Sequence, residues 1–178
     1  MYFAEYDSPV GKLLLTCGET GLTGLWMDRE PPVDGVRNGE HPVLRKAFRW
    51  LDAYFQGAEL PADFPLAPRG TPFQKQVWGL LLTIPRGQTC TYGDIAREMA
   101  QRLGKEKMSA QAIGQAVGKN PISILIPCHR VVGAKGQLTG YAGGLDRKAW
   151  LLKHERATLP LPKGEAGNRR KSGTCPLA

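Results

Sequence analysis

A thiol, an imidazole and a guanidinium follow one another in Pro127-Cys128-His129-Arg130-Val131-Val132, and this is where the 178-residue sequence comes nearest to chemistry. A cysteine thiol titrates near about 8.5 and becomes a good nucleophile when an imidazole or a positive charge stabilises its thiolate. Neighbouring residues on a strand point to opposite faces, so Cys128 and His129 can work together only if the chain turns there. Pro127 makes such a turn plausible. The bland alternative is a buried core cysteine next to a surface imidazole, and these six residues alone leave both readings open.

The elements around the segment must deliver it to a fixed point. Residues 122–127 (ISILIP) read as a short extended apolar piece leading into it. A Gly-rich loop at 134–145 follows, and then a helix over DRKAWLLKHERA. Upstream, FQKQVWGLLLTI reads as a helix stopped by Pro85-Arg86-Gly87. Residues 89–92 form a short strand or turn, DIAREMAQRL forms a helix ended by Gly104, and KEKM forms a charged turn. Ser109 is a good N-cap for AQAIGQAVGK. Helix, turn and helix over residues 93–119 are the helix-turn-helix layout. In the first 57 residues, LLLTC and GLTGLWM are strand-like runs, PPVDGVRNGEHP is a loop, and VLRKAFRWLDAYFQ has helical period closed by Gly57. The stretch ELPADFPLAPRGTP, with four prolines, reads as an extended linker between two domains.

Charge is divided unevenly along the chain. The net charge is +8, but residues 1–99 carry ten Lys/Arg against twelve Asp/Glu, whereas residues 100–156 carry ten against three. A basic C-terminal half suits a phosphate backbone; the competing reading is a generic basic surface. No apolar run approaches the roughly 20 residues that span a bilayer, and MYFAEYDSPVGK lacks the pattern of a signal peptide. The expected compartment is therefore the reducing cytoplasm. The four cysteines (Cys17, Cys90, Cys128, Cys175) are then expected as free thiols. No CxxC pair or zinc-ligand spacing occurs, so neither a metal nor a cofactor is expected.

NPISILIPCHRVVG followed by GYAGGLDRKAWLLKHE strongly resembles the O6-alkylguanine-DNA alkyltransferases, also called methylated-DNA–protein-cysteine methyltransferases. The likeness runs from about Phe73 to Glu155 and includes FQKQVW and the Thr91-Tyr92-Gly93 turn. It implies an α+β fold: a ribonuclease-H-like α/β domain with a small antiparallel sheet over 1–66, then a mainly helical, winged-helix-like domain over 67–157. Residues 158–178 are expected to be a disordered basic tail. The resemblance implies irreversible, single-use transfer of a methyl or larger alkyl group from O6 of guanine, and O4 of thymine, to Cys128. By the same likeness His129 acts as base through a water, Glu155 orients it, Tyr92 protonates the departing base and Lys148 assists at O6. Asn120, Tyr141 and Ala142 line the pocket; relatives often carry serine where Ala142 stands.

The implied partner is double-stranded DNA holding O6-alkylguanine, bound by a monomer through the minor groove. The DNA-facing set is Ser109, Gln111, Ala112, Gly114, Lys119 and Arg130, although Arg130 also suits a role bracing the core. Small residues at 110, 112, 114 and 118 would let the second helix approach a backbone closely; equally, they would suit a tightly packed core helix. A lesion inside a duplex is out of reach unless the base is flipped by ~180°. Relatives fill the gap with an arginine, where this chain has Gln111, and GKEKM adds about five residues to the preceding turn. Rival readings are a lesion-binding protein without transfer, in which the cysteine is replaced, a redox-sensing regulator, and a Cys–His hydrolase. Cys128 argues against the first. The lack of a dimerisation element weakens the second, and no oxyanion device supports the third.

Overall fold

The computed structural model describes residues 1–157 and 175–177. The chain divides into two compact units: Met1–Gly70 with Pro121–Leu125, and Thr71–Asn120 with the residues from Ile126 onward.

In the first unit, β1 (Tyr2–Ser8), β2 (Gly11–Gly18) and β3 (Gly21–Met27) pair antiparallel as two hairpins. The run Leu13–Cys17 is buried throughout, as a central strand covered on both faces should be. Helix α1 (Pro42–Phe55) packs against β1 and β2 through Leu44, Ala47, Leu51 and Tyr54. It starts with Pro42 in its first turn and His41 Nδ1 accepting the Val43 N–H. Gly57, at φ +87°, lies just past its end, where a left-handed residue is needed.

Two expectations fail in this unit. The loop before α1 holds a fourth strand, β4 (Val36–Arg37), parallel to β1 and flanked by an ion pair from Arg37 to Glu5. Two residues are too few for alternation to show. The proline-rich stretch is no free linker: Pro65 accepts the Leu22 N–H, Ala67 donates to Leu22 O, and Phe64 is buried. Proline removes donors but leaves carbonyls able to pair, so a proline-rich segment can still dock on a sheet edge.

In the second unit, α2 (Pro72–Leu81) and α3 (Tyr92–Arg102) each begin in a capping box, Thr71 with Gln74 and Thr91 with Asp94. Gly104, at φ +62°, closes α3, with Lys105 N–H reaching back to Ala100 O. Ser109 accepts the Gln111 and Ala112 N–H groups and caps α4 (Ala110–Gly118), which packs on α2 and α3. Trp78 of α2 is buried and donates its indole N–H to Ala116 O at 2.9 Å. A two-residue parallel ladder joins β5 (Cys90–Thr91) to β6 (Val131–Val132), and α5 (Leu145–His154) follows.

Residues 122–127 are not extended. Ile122 makes a single bridge to Leu25, and the chain then turns, with Ile124 at φ +69°. A left-handed β-branched residue is strained, and here Ser123 N–H→Leu25 O and Leu125 N–H→Ser123 O hold the turn. A second correction concerns the thiols: Cys90 and Cys175 form a disulfide, while Cys17 and Cys128 are free. The expected disorder after residue 157 falls outside the described residues, save 175–177. Among the described residues no helix is long and apolar enough to cross a membrane, and no group of three or more His, Cys, Asp or Glu is placed to hold a metal.

Leu51 is fully buried beneath the sheet. Leu51→Ala should lower stability by roughly 2–5 kcal/mol, read as a shift of the urea midpoint with little change in slope.

Candidate active site

The local chain path explains how a thiol and its neighbouring imidazole come to share one site. Pro127 stands at φ −81°, ψ 63°, and Cys128–Arg130 form one turn of 3₁₀ helix. The Cys128 N–H donates to Ile126 O, and the Val131 N–H closes the turn on Cys128 O. Asn120, the residue after the α4 C-cap, donates its side-chain amide to Ile126 O at 2.8 Å, tying α4 to the start of this turn.

His129 is wholly buried, and its Nε2 lies 2.8 Å from Glu155 Oε1. Arg130 grips the same carboxylate, Nε on Oε2 and Nη2 on Oε1, each at 2.9 Å, and donates Nη1 to Ile84 O at 2.6 Å. Glu155 is the C-cap residue of α5, so this cluster fastens the end of α5 to the cysteine turn. Burial alone would raise the Glu155 carboxyl, but the charges and hydrogen bonds of His129 and Arg130 outweigh it and hold it well below the usual range. Burial lowers the His129 imidazole despite Glu155, which keeps the ring neutral near pH 7. Its Nδ1 is buried with no hydrogen-bond partner among the described residues.

Cys128 is only 7% exposed. Burial pushes its thiol up, while a hydrogen bond from Asn120 and the charge of Lys148 pull it back. Lys148 is itself buried and donates to Val131 O at 2.5 Å and Thr139 O at 2.9 Å. Burial brings its pKa down to about 8, against the opposing pull of Cys128. The Thr139 carbonyl also accepts the Tyr92 hydroxyl at 3.1 Å, so one backbone oxygen ties Tyr92 to Lys148. Burial raises the Tyr92 phenol, leaving it protonated as a donor.

An open cleft beside these groups is lined by Tyr92, Gln111, Gly114, Thr139, Tyr141 and Ala142. Along α4, Ile113, Ala116 and Val117 face the core, while Gln111, Gly118 and Lys119 are exposed and Ala112 and Gly114 half-buried. The small residues therefore line the outer face and not a packed seam. A Cβ at Gly118 would meet nothing within 4 Å, so internal packing does not require glycine there.

The structure thus gathers Cys128, His129, Glu155, Asn120, Lys148 and Tyr92, and sets Tyr141, Ala142 and Gln111 along the neighbouring cleft. Arg130 needs correction: its guanidinium is committed to Glu155 and Ile84 O and does not belong to a DNA-facing set. Sequence reasoning missed the carbonyls of Ile84, Val131 and Thr139, which carry no side-chain signal.

Comparison with known proteins fits this geometry. Residues 72–157 match the 6-O-methylguanine DNA methyltransferase DNA-binding domain, and residues 1–68 match the ribonuclease-like domain of the same methyltransferases. A methylated-DNA–protein-cysteine methyltransferase of Methanosarcina acetivorans is 48% identical over 160 residues, covering 87% of this chain and 98% of the relative. That of Mycobacterium tuberculosis is 42% identical over 163 residues, covering 90% and 95%. The M. tuberculosis protein solved in complex with DNA superposes with a TM-score of 0.76 at 41% identity, covering 88% of this chain and 93% of that one. The chain belongs to the 6-O-methylguanine DNA methyltransferase family, with its ribonuclease-like domain preceding its DNA-binding domain.

Because the Glu155 carboxyl is depressed on folding, its contribution to stability is complete above the unfolded value, about 4.3, and fades as pH falls toward the folded one. The Tm of the wild type should therefore fall on acidification below about pH 4.5. Glu155→Gln should flatten that acid limb. At pH 7 it should cost roughly 3–5 kcal/mol, because Arg130 keeps its charge without a counter-ion.

Proposed function

We propose that this chain repairs alkylated DNA by transferring an alkyl group from O6 of guanine, or O4 of thymine, to Cys128 in one irreversible step. The observation that carries the reading is the arrangement of two faces of one imidazole. His129 Nε2 is fixed by Glu155, while Nδ1 is buried with no hydrogen-bond partner among the described residues, which leaves it as the nitrogen that a water would link to the neighbouring thiol. With Nε2–H donated to the carboxylate, Nδ1 is the acceptor nitrogen, the form a general base needs.

The resting thiol is held protonated by burial. As the alkyl carbon approaches, the thiol proton passes to His129, the S–C bond forms and the C–O6 bond breaks. The electron pair leaves on the base, where Tyr92 supplies a proton and Lys148 assists at O6. Asn120 steadies the thiolate. The product is a thioether with no second nucleophile to release it, so one protein serves one lesion. Tyr141 and Ala142 line the pocket, with a backbone amide doing the work of the serine that Ala142 replaces.

DNA is approached by the outer face of α4, with Ser109, Gln111, Ala112, Gly114 and Lys119 against the duplex and the damaged base flipped out. The protein acts as a monomer in a reducing cytoplasm, which preserves the Cys128 thiol. Residues 67–157 carry the chemistry, residues 1–66 support them, and the tail from 158 adds positive charge.

Incubation with an oligonucleotide bearing O6-methylguanine, followed by digestion and mass spectrometry, should place one methyl on the Cys128 peptide and none beyond one equivalent. Lesion binding without an adduct, or transfer that survives Cys128→Ala, would overturn the reading. The transfer rate should rise with pH on the acid side as His129 loses its proton and becomes able to accept one, and fall again above about 8 as Lys148 loses its charge; Lys148→Met should remove the alkaline fall. Lys119→Ala and Lys107→Ala should weaken binding to any duplex and reduce the salt slope by about 1 each. Gly118→Leu should leave thermal stability near wild type while weakening DNA binding at least tenfold, measured by fluorescence anisotropy.

A further inference from the structure

Two cysteines that the transfer chemistry does not use are joined to each other. Cys90 is buried in β5, directly before Thr91, the N-cap of α3, and Tyr92. Its ladder partner is Val131, whose N–H closes the Cys128 turn and whose carbonyl accepts from Lys148. Cys175, 85 positions further along, is nearly as buried and is bonded to it. Tyr92, Asn120, Cys128, His129, Lys148 and Glu155 all fall between the two cysteines, so the bond closes a covalent ring containing the whole candidate site. Cys128 itself remains a free thiol.

A chain whose acceptor must stay reduced would not be expected to hold a permanent disulfide in the same compartment. We infer that Cys90–Cys175 is a redox-sensitive staple, closed under oxidising conditions and opened under reducing ones, which fastens the C-terminal end of the chain to the β5–β6 ladder independently of Cys128. Closure proceeds by exchange with a low-molecular-weight disulfide such as oxidised glutathione. The Cys175 thiolate attacks one of its sulfurs, forming a mixed disulfide and releasing one thiol. The Cys90 thiolate then attacks the Cys175 sulfur and expels the second thiol. Two protons are lost from the protein, two electrons pass to the oxidant, one S–S bond breaks and one forms.

The staple acts chiefly on stability. A ring of this size sharply restricts the unfolded chain, and its loss removes that restriction. The β5–β6 pairing and the α3 capping box use backbone and Thr91–Asp94 contacts that need no disulfide, so the reduced protein keeps the site.

The test uses the full-length wild-type protein equilibrated in reduced and oxidised glutathione mixtures, then alkylated and mapped by peptide mass spectrometry, with Tm measured in parallel. The expected result is a Cys90–Cys175 peptide in the oxidised buffer, its disappearance in the reduced one, and a reversible fall in Tm of roughly 5–10 °C on reduction. Cys175→Ser should hold Tm at the reduced value in both buffers. Methyl transfer measured at low temperature should differ less than threefold between the two states. Free thiols at both positions in oxidised glutathione, pairing of either with Cys128 or Cys17, a bond that persists in the reduced buffer, or a Tm shift under 2 °C would overturn the inference. These readouts do not depend on Cys128 accepting an alkyl group, so they fail or succeed separately from the proposed function.

Discussion

One carboxylate organises the active region. Glu155, at the end of α5, is shared by His129 and Arg130, adjacent residues of a single 3₁₀ turn. A buried carboxylate is unfavourable unless its oxygens are well supplied with donors. Here the bidentate guanidinium supplies the charge, and the imidazole N–H completes the set. The Ile84 carbonyl then fixes Arg130 from a third direction. Removing Glu155 would at once free the imidazole to rotate and leave the guanidinium uncompensated, so orientation and stability rest on the same bonds.

A second organising feature is the use of backbone carbonyls as posts for charged side chains. Among the described residues Lys148 has no carboxylate partner; Val131 O and Thr139 O hold its buried ammonium instead. Burial leaves Lys148 with a lowered pKa, and its positive charge pulls on the Cys128 thiol. Thr139 O also holds Tyr92. Two groups from distant parts of the sequence are thereby set at a fixed relation by one atom of a Gly-rich loop.

Much of this was legible beforehand, for reasons that can be stated. The helices from α2 to α5 announce themselves by apolar period, and α4 also by Ser109 at its start; the capping boxes at Thr71 and Thr91 come only with the structure. The turn at Cys128 follows from requiring thiol and imidazole to cooperate beside a proline. What was not legible depends on backbone atoms or on long-range closure. The turn at 122–126 hides because Ile-Ser-Ile-Leu-Ile has the composition of a strand, and hydrogen bonds to Leu25 override that preference. Arg130 looks like any basic residue near a DNA-binding helix until Ile84 O and Glu155 are seen around it. Cys175 lies where no periodicity points, so its pairing with Cys90 could not be read from spacing.

The burial of Cys128 has a consequence for how the protein waits. A thiol kept protonated and almost hidden from solvent reacts slowly with stray electrophiles and oxidants, because the thiolate is the reactive species. In the proposed reaction, nucleophilicity appears only when a substrate fills the cleft and the proton has somewhere to go. If one alkyl transfer spends the protein, as proposed, such dormancy sets its useful lifetime: the fraction still competent when a lesion arrives depends on how well the resting sulfur is shielded.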